Sequence, residues 1–364
     1  MRIAFFVVVM LLITYGSLYP FSFSFSEPQP LGTLLTDFRL FTSRGDVLGN
    51  CLLFVPFGVG GMFAFAPRIG TKPGAVAVAA AGFVFALSLQ WAQLYLPSRD
   101  AVLSDVIWNG LGLALGIAAA SFAKFHWDKS PPAIPLALLV LWFAQELVPF
   151  LPTLDWQKIK DSVKPLFLDP EIEVARALFH FAAALLTGRV LTEVVGERAS
   201  MRWLLLFVLA VLAAKLFVVS RVLSWSLVLG MTLACAVWKC IGEAREPRRG
   251  AFIMLTLLAA IAATSLHPFT LRWPPGKFTW IPFAGQLEGA MLVNLSALIE
   301  KTFLYAGVLW LVGARNLWPS AICLVLVVLL LEAAQTLIAG RSADITEAVW
   351  ILLTAAALRA AKQR

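Results

Sequence analysis

The stretch Ala101-Val-Leu-Ser-Asp105-Val-Ile-Trp-Asn109-Gly-Leu-Gly112-Leu-Ala-Leu-Gly116-Ile-Ala-Ala-Ala-Ser-Phe-Ala123 holds a single charge, near its start. Roughly 20 apolar residues are enough to span the hydrocarbon of a bilayer as a helix. Only a helix satisfies every backbone group within one such run. On that helix Asp105, Asn109, Gly112 and Gly116 step by four, three and four, so they share one face. The face is polar where it begins and small-sided further on, which lets a second helix come close.

The rest of the chain has the same character. Apolar residues make up 60% and charged residues 14%, with a mean hydropathy of +0.85. A chain this apolar cannot hide its surface in one globule, so lipid is its solvent. Apolar runs lie near 3–20, 47–66, 74–96, 101–123, 134–151, 173–195, 203–220, 222–241, 251–267, 289–313, 317–339 and 343–360. They predict an all-α integral membrane protein with about twelve transmembrane helices. The first run ends Ser17-Leu-Tyr-Pro20 without a small-residue cleavage site, and Ser265-Leu-His-Pro268 echoes it. It is expected to be a retained helix. The four cysteines, at 51, 235, 240 and 323, follow no metal or redox spacing, and packing is their expected role.

A phrase recurs between apolar runs: Gln93 to Arg99, Lys215 to Arg221, and Gln335 to Arg341. Each copy follows a Pro-Phe pair, at Pro20, Pro149 and Pro268, by 79, 72 and 73 positions from Pro to Arg. Repetition on this scale points to one module used three times. The expected division is 1–130, 131–245 and 246–364. Four helices per module make the copies parallel, with a pseudo-axis along the membrane normal.

The net charge of +8 is distributed by loop and does not form a nucleic-acid patch. Alternate loops and the two ends, from Arg2 through Arg68 and Arg248 to Arg364, collect sixteen cations; the other side, with Arg99, Lys158 and Arg341 among its members, collects ten. The positive-inside rule then places both termini in the cytoplasm. All three copies of the phrase fall on the outer face.

In the first module Asn50, Gln93, Arg99, Asp105 and Asn109 are expected near one another. Arg99 offers a fork of donors suited to a carboxylate or phosphate, and an Asp inside a membrane helix needs a partner. Two arrangements stay open. One is an outward pocket for an anionic group; the other is an Arg99–Asp105 pair locking helices together. The last module carries Asn294, Glu332, Gln335, Arg341 and Glu347 at matching places, with Ile351 where the first has Asn109 and Glu300-Lys301 where it has Pro56-Phe57. The middle module has Lys215 for the Gln and Leu227 for the Asp, and Arg176 stands near the place of Asn50. It also has the most polar outer loop, 155–173, either a short interfacial helix anchored by Trp156 or a solvated connector.

Asn-x-x-x-Phe-x-Pro-Phe-Gly from Asn50, Gln-x-x-x-x-x-Arg from Gln93 and Asp-x-x-x-Asn-x-x-Gly from Asp105 resemble the VanZ-like family of membrane proteins. The resemblance is clear over 1–125, good over 251–360 and faint over 131–245. The family's usual acid three places before the Gln is Gln90 in the first module and Glu332 in the last. The resemblance implies a multi-pass protein of the bacterial cell (inner) membrane, and an association with reduced susceptibility to glycopeptides such as teicoplanin. The expected ligand is an anionic lipid or a lipid-linked cell-wall glycan, with the bilayer itself as partner and no nucleic acid.

His126, His180 and His267 are scattered, and no metal-ligand spacing, nucleophile–base constellation or phosphate loop appears. No cofactor is expected. Asp105 with Arg99 could serve phosphoryl or glycosyl chemistry, but no second acid clearly completes such a site. Transport of a small or amphiphilic solute is an alternative, with Arg176, Lys215, Glu300 and Lys301 as its charged candidates. A scaffold with structural polar residues is a further one.

Overall fold

A computed structural model describes residues 2–19, 21–25, 29–30, 44–97, 101–126, 133–148, 155–168, 170–241, 246–285, 291–313 and 315–362. The helices, in chain order, are α1 (Arg2–Leu18), α2 (Arg44–Ile69), α3 (Thr71–Gln93), α4 (Leu103–His126), α5 (Ala133–Leu147) and α6 (Trp156–Val163). They continue with α7 (Pro165–Leu168), α8 (Val174–Val195), α9 (Glu197–Leu216), α10 (Trp225–Ile241) and α11 (Glu246–Leu266). The last are α12 (Met291–Val312), α13 (Leu317–Gln335) and α14 (Thr346–Lys362). Two short strands, β1 (Phe278–Thr279) and β2 (Ala343–Asp344), pair in parallel; hydropathy gave no sign of them.

Among the described residues, 8 helices are long and apolar enough to cross a membrane, and Val9–Leu18, Ala133–Leu147 and Trp225–Ile241 are shorter apolar helices. The protein is an all-α membrane protein. The apolar runs 203–220 and 222–241 are separated by a turn. Helix α9 ends at Leu216, Ser220 takes φ 63°, and α10 starts at Trp225.

The chain divides into two compact units, Met1–Ser130 with Ala284–Leu295, and Pro131–Phe283 with Ser296–Arg364. In the first, α2 packs on α1, α3 and α4 around Phe6, Ile13, Phe54, Phe57, Val78 and Leu113. The α2–α4 contact is a backbone contact. A Cβ on Gly112 would overlap the Cys51 carbonyl oxygen, one on Gly116 that of Val55, and one on Gly58 would lie 2.5 Å from that of Leu113. Small residues are what membrane helices use to approach this closely. In the second unit α8 packs on α5, α9, α10 and α11. Ala182, Ala183, Ala184, Leu185 and Leu186 are all fully buried, an apolar middle enclosed by its neighbours.

The corner between α3 and α4 and the corner between α13 and α14 close with the same hydrogen bonds. Leu96 N–H donates to the Gln93 carbonyl at 2.9 Å, and Ile338 N–H to the Gln335 carbonyl at 3.0 Å. Ser24 N–H donates to Tyr95 O at 2.7 Å, and Arg272 N–H to Leu337 O at 2.8 Å. Gln29 N–H reaches Leu94 O at 2.8 Å, and Gly276 N–H reaches Thr336 O at 2.7 Å. After each Pro, Phe21 and Phe269 adopt φ 63° and 62°, and their N–H groups bond Leu18 O and Leu266 O, both at 2.8 Å.

Candidate functional site

At the α3–α4 corner, Gln90 Oε1 accepts the Val102 N–H at 3.1 Å. Gln93 Nε2 donates to the Ser17 carbonyl at 2.9 Å, tying α3 to the end of α1. That bond orients the amide and leaves Gln93 Oε1 buried without a hydrogen-bond partner among the described residues; Ser104 Oγ and Asn109 Oδ1 share this condition. All three lie at or near the facing ends of α3 and α4. With Cys51 against Gly112 and Val55 against Gly116, Asn50 on α2 and Asn109 on α4 come within one helical turn of each other's level. Asn50 and Asp105 are half-buried, and Asn109 is buried. Arg99 lies outside the described residues.

At the α13–α14 corner, Glu332 Oε2 accepts the Asp344 N–H at 2.9 Å. This is the bond that Gln90 makes to Val102, 242 positions earlier in both donor and acceptor. Gln335 Nε2 donates to Glu332 Oε1 at 3.3 Å. Glu347 is 4% exposed; its Oε1 is ion-paired with Lys301 and its Oε2 accepts the Tyr305 hydroxyl, both contacts short. Trp350 Nε1 donates to Thr302 Oγ1 at 2.8 Å. Side chains thus bridge α12 to α14. Asn294 is half-buried on α12 and takes part in contacts of its own.

The described arginines of the repeated phrase hold the chain rather than an acid. Arg341 Nε donates to the His267 carbonyl at 2.6 Å and its Nη2 to that of Thr264. Arg221 Nε donates to the Val148 carbonyl at 2.5 Å and its Nη2 to Ser296 Oγ at 3.2 Å. His267 and Val148 each precede the proline that ends a helix run. A helix end leaves such carbonyls unpaired, and a guanidinium fork is a fitting cap for them.

The middle segment is charged where its sequence had looked degenerate. Glu146, 2% exposed, pairs with Lys215 Nζ at 2.6 Å and with His180 Nδ1 at 3.1 Å. Arg176 Nη1 pairs with Glu300 at 2.9 Å. The polar loop 155–173 is in part helical: α6 is capped by Asp155, whose side chain accepts from Gln157 N–H. On it, Lys164 beside Asp161 holds that carboxyl below its ordinary range, and Trp156 is exposed.

Residues 3–124 match the family model described as VanZ/LLP1. This segment is VanZ-like. It contains Asn50, Gln93, Arg99, Asp105 and Asn109, the residues on which the resemblance rests. No curated protein and no solved structure matches the chain significantly. In the VanZ-like segment the corner is neutral apart from Asp105 and the undescribed residues around Arg99. At the α13–α14 corner the same places carry an ionic cluster. Sequence spacing alone missed Glu146, His180 and Tyr305. Glu146 stands three places before Pro149, and Lys215 takes the place of a Gln; that unmatched lysine was the available signal for a buried acid.

Proposed function

We propose that this protein resides in the bacterial cell (inner) membrane, both termini in the cytoplasm, and holds an amphiphile at the outer ends of α2, α3 and α4. The observation that carries this is the trio of Gln93 Oε1, Asn109 Oδ1 and the Ser104 hydroxyl, buried without hydrogen-bond partners among the described residues. Buried polar groups ordinarily find a partner, and an unmade bond costs about 1–3 kcal/mol. Acceptors call for donors, so the ligand presents hydroxyl or amide N–H groups, and the guanidinium of Arg99 suits an anionic group beside them. A lipid-linked cell-wall glycan has both; an anionic phospholipid headgroup is the simpler occupant. Action on wall precursors is also where an influence on teicoplanin susceptibility would arise.

Native mass spectrometry of lipids retained by the purified protein tests this, run beside Asn109→Leu, Arg99→Ala and Asp105→Asn. The expected result is an isoprenoid-linked glycan or anionic lipid that the folded variants lose. Identical bulk lipid on all four proteins would sink the site and favour a scaffold with structural polar residues.

A second arrangement has an observation of its own. The buried charges Glu146, Lys215 and Glu347, with the half-buried Glu300 and Lys301, are what a transporter needs in its membrane segments. Proteoliposome flux that disappears in Lys215→Met while lipid retention persists would favour it.

A further inference from the structure

We infer that the α13–α14 corner is a proton-binding site, in which Glu332 and Glu347 share one proton. Four side chains meet there, and their charges do not balance. Glu332 and Glu347 are 3% and 4% exposed, and the two carboxyl groups lie within hydrogen-bonding reach of each other. Two carboxylates cannot bond directly unless one carries a proton. Lys301 on α12 is ion-paired with Glu347. Tyr305, also on α12, donates to the same carboxylate.

Among the described residues no second cation is ion-paired with either acid, and Arg272 gives its Nε–H to the Thr336 carbonyl at 3.0 Å. From β2, Asp344 gives its backbone N–H to Glu332, and its own carboxylate accepts the Thr346 N–H at 2.7 Å. The fork of Arg341 is held by the Thr264 and His267 carbonyls at the end of α11. The His267 ring lies 3.6 Å from Glu173. Glu300, the neighbour of Lys301, is taken by Arg176. With both acids ionised, one lysine would face two buried carboxylates, an arrangement that a nonpolar environment disfavours strongly. One proton on the pair restores neutrality, as it does wherever two carboxyl groups share a site.

The α3–α4 corner supplies an independent comparison. There the place of Glu332 is held by Gln90, a neutral side chain of the same shape, making the same bond to a backbone N–H. The position therefore needs an acceptor but no acid. What the acid adds at 332 is an exchangeable proton. It appears together with Lys301 and Tyr305, where the first corner has no such pair: Pro56-Phe57 stand in place of Glu300-Lys301. Release of the proton leaves one excess negative charge at the junction of α12, α13 and α14, so occupancy of this site couples pH to the packing of those helices.

The experiment is infrared difference spectroscopy of the full-length protein in lipid nanodiscs across a pH titration. Wild type should show a carboxylic-acid C=O band that disappears as pH rises, and Glu332→Gln should lack it. Gln90 already supports the same backbone bond, so Glu332→Gln is expected to fold. Should it not, Glu347→Gln gives the second test, since Glu332 would then ionise against Lys301 and the band would again vanish. A wild-type spectrum with no acid band, or one that survives unchanged in the folded variant, overturns the proposal.

Discussion

The α3–α4 corner and the α13–α14 corner share a backbone and differ in how their helices are joined. In the first, Gly112 and Gly116 let α4 touch the α2 backbone, and Gln93 Oε1, Ser104 Oγ and Asn109 Oδ1 nearby are buried without partners among the described residues. In the second, 242 positions on, Thr354 and Leu358 stand in those places, and Lys301, Tyr305 and Glu347 reach across instead. A glycine contact lets two helices touch directly and leaves the outer end free to hold something else. An ionic bridge fills the same space with its own side chains. This difference is why we propose a ligand for the first corner and a proton for the second.

The largest expected break of this comparison is Lys301→Met. Removing one partner of a buried pair strands Glu347 and should cost about 3–5 kcal/mol. Residual folded protein after heating in detergent measures it, and Lys301→Met combined with Glu347→Gln should recover most of the loss. Next comes Arg341→Gln, which frees the Thr264 and His267 carbonyls. Hydrogen bonds to a charged group are worth about 1.5–3 kcal/mol, and the same assay should show a loss in that range. In the other corner Gly112→Val should lower stability by about 1–3 kcal/mol, whereas Gly110→Ala, with open space around its Cβ position, should be silent.

Two smaller effects sharpen the contrast. Asn109→Leu removes an acceptor that has no partner among the described residues and should leave stability within about 1 kcal/mol of wild type while abolishing ligand retention; a large loss of stability would mark Asn109 as structural. Ser220 and Gly340 occupy equivalent turns at φ 63° and 76°. Glycine is the residue at ease there, so Ser220→Gly should gain about 0.5–1 kcal/mol, read as a small rise in the same thermal assay.

Much of this protein could be read from its residues in order. Hydropathy and run length settle that it is helical and lives in a membrane, because no other backbone satisfies itself in lipid. The Gln and Arg phrases, the Pro-Phe pairs and the glycines of α4 marked the chain's outstanding positions, and the motif around Asn50, Gln93 and Asp105 pointed to the VanZ-like segment. These are local signals, carried by neighbours within a few turns. The partners were not local. Arg341 caps carbonyls 74 and 77 positions away, Lys301 meets Glu347 46 positions on, and Glu146 finds His180 34 positions on. A side chain's charge is written in the sequence, but its partner is chosen by which helix faces pack together. Only the tertiary structure could turn Arg341 from a candidate ligand fork into a helix cap, and Glu332 from an acid three places before Gln335 into half of a carboxyl pair.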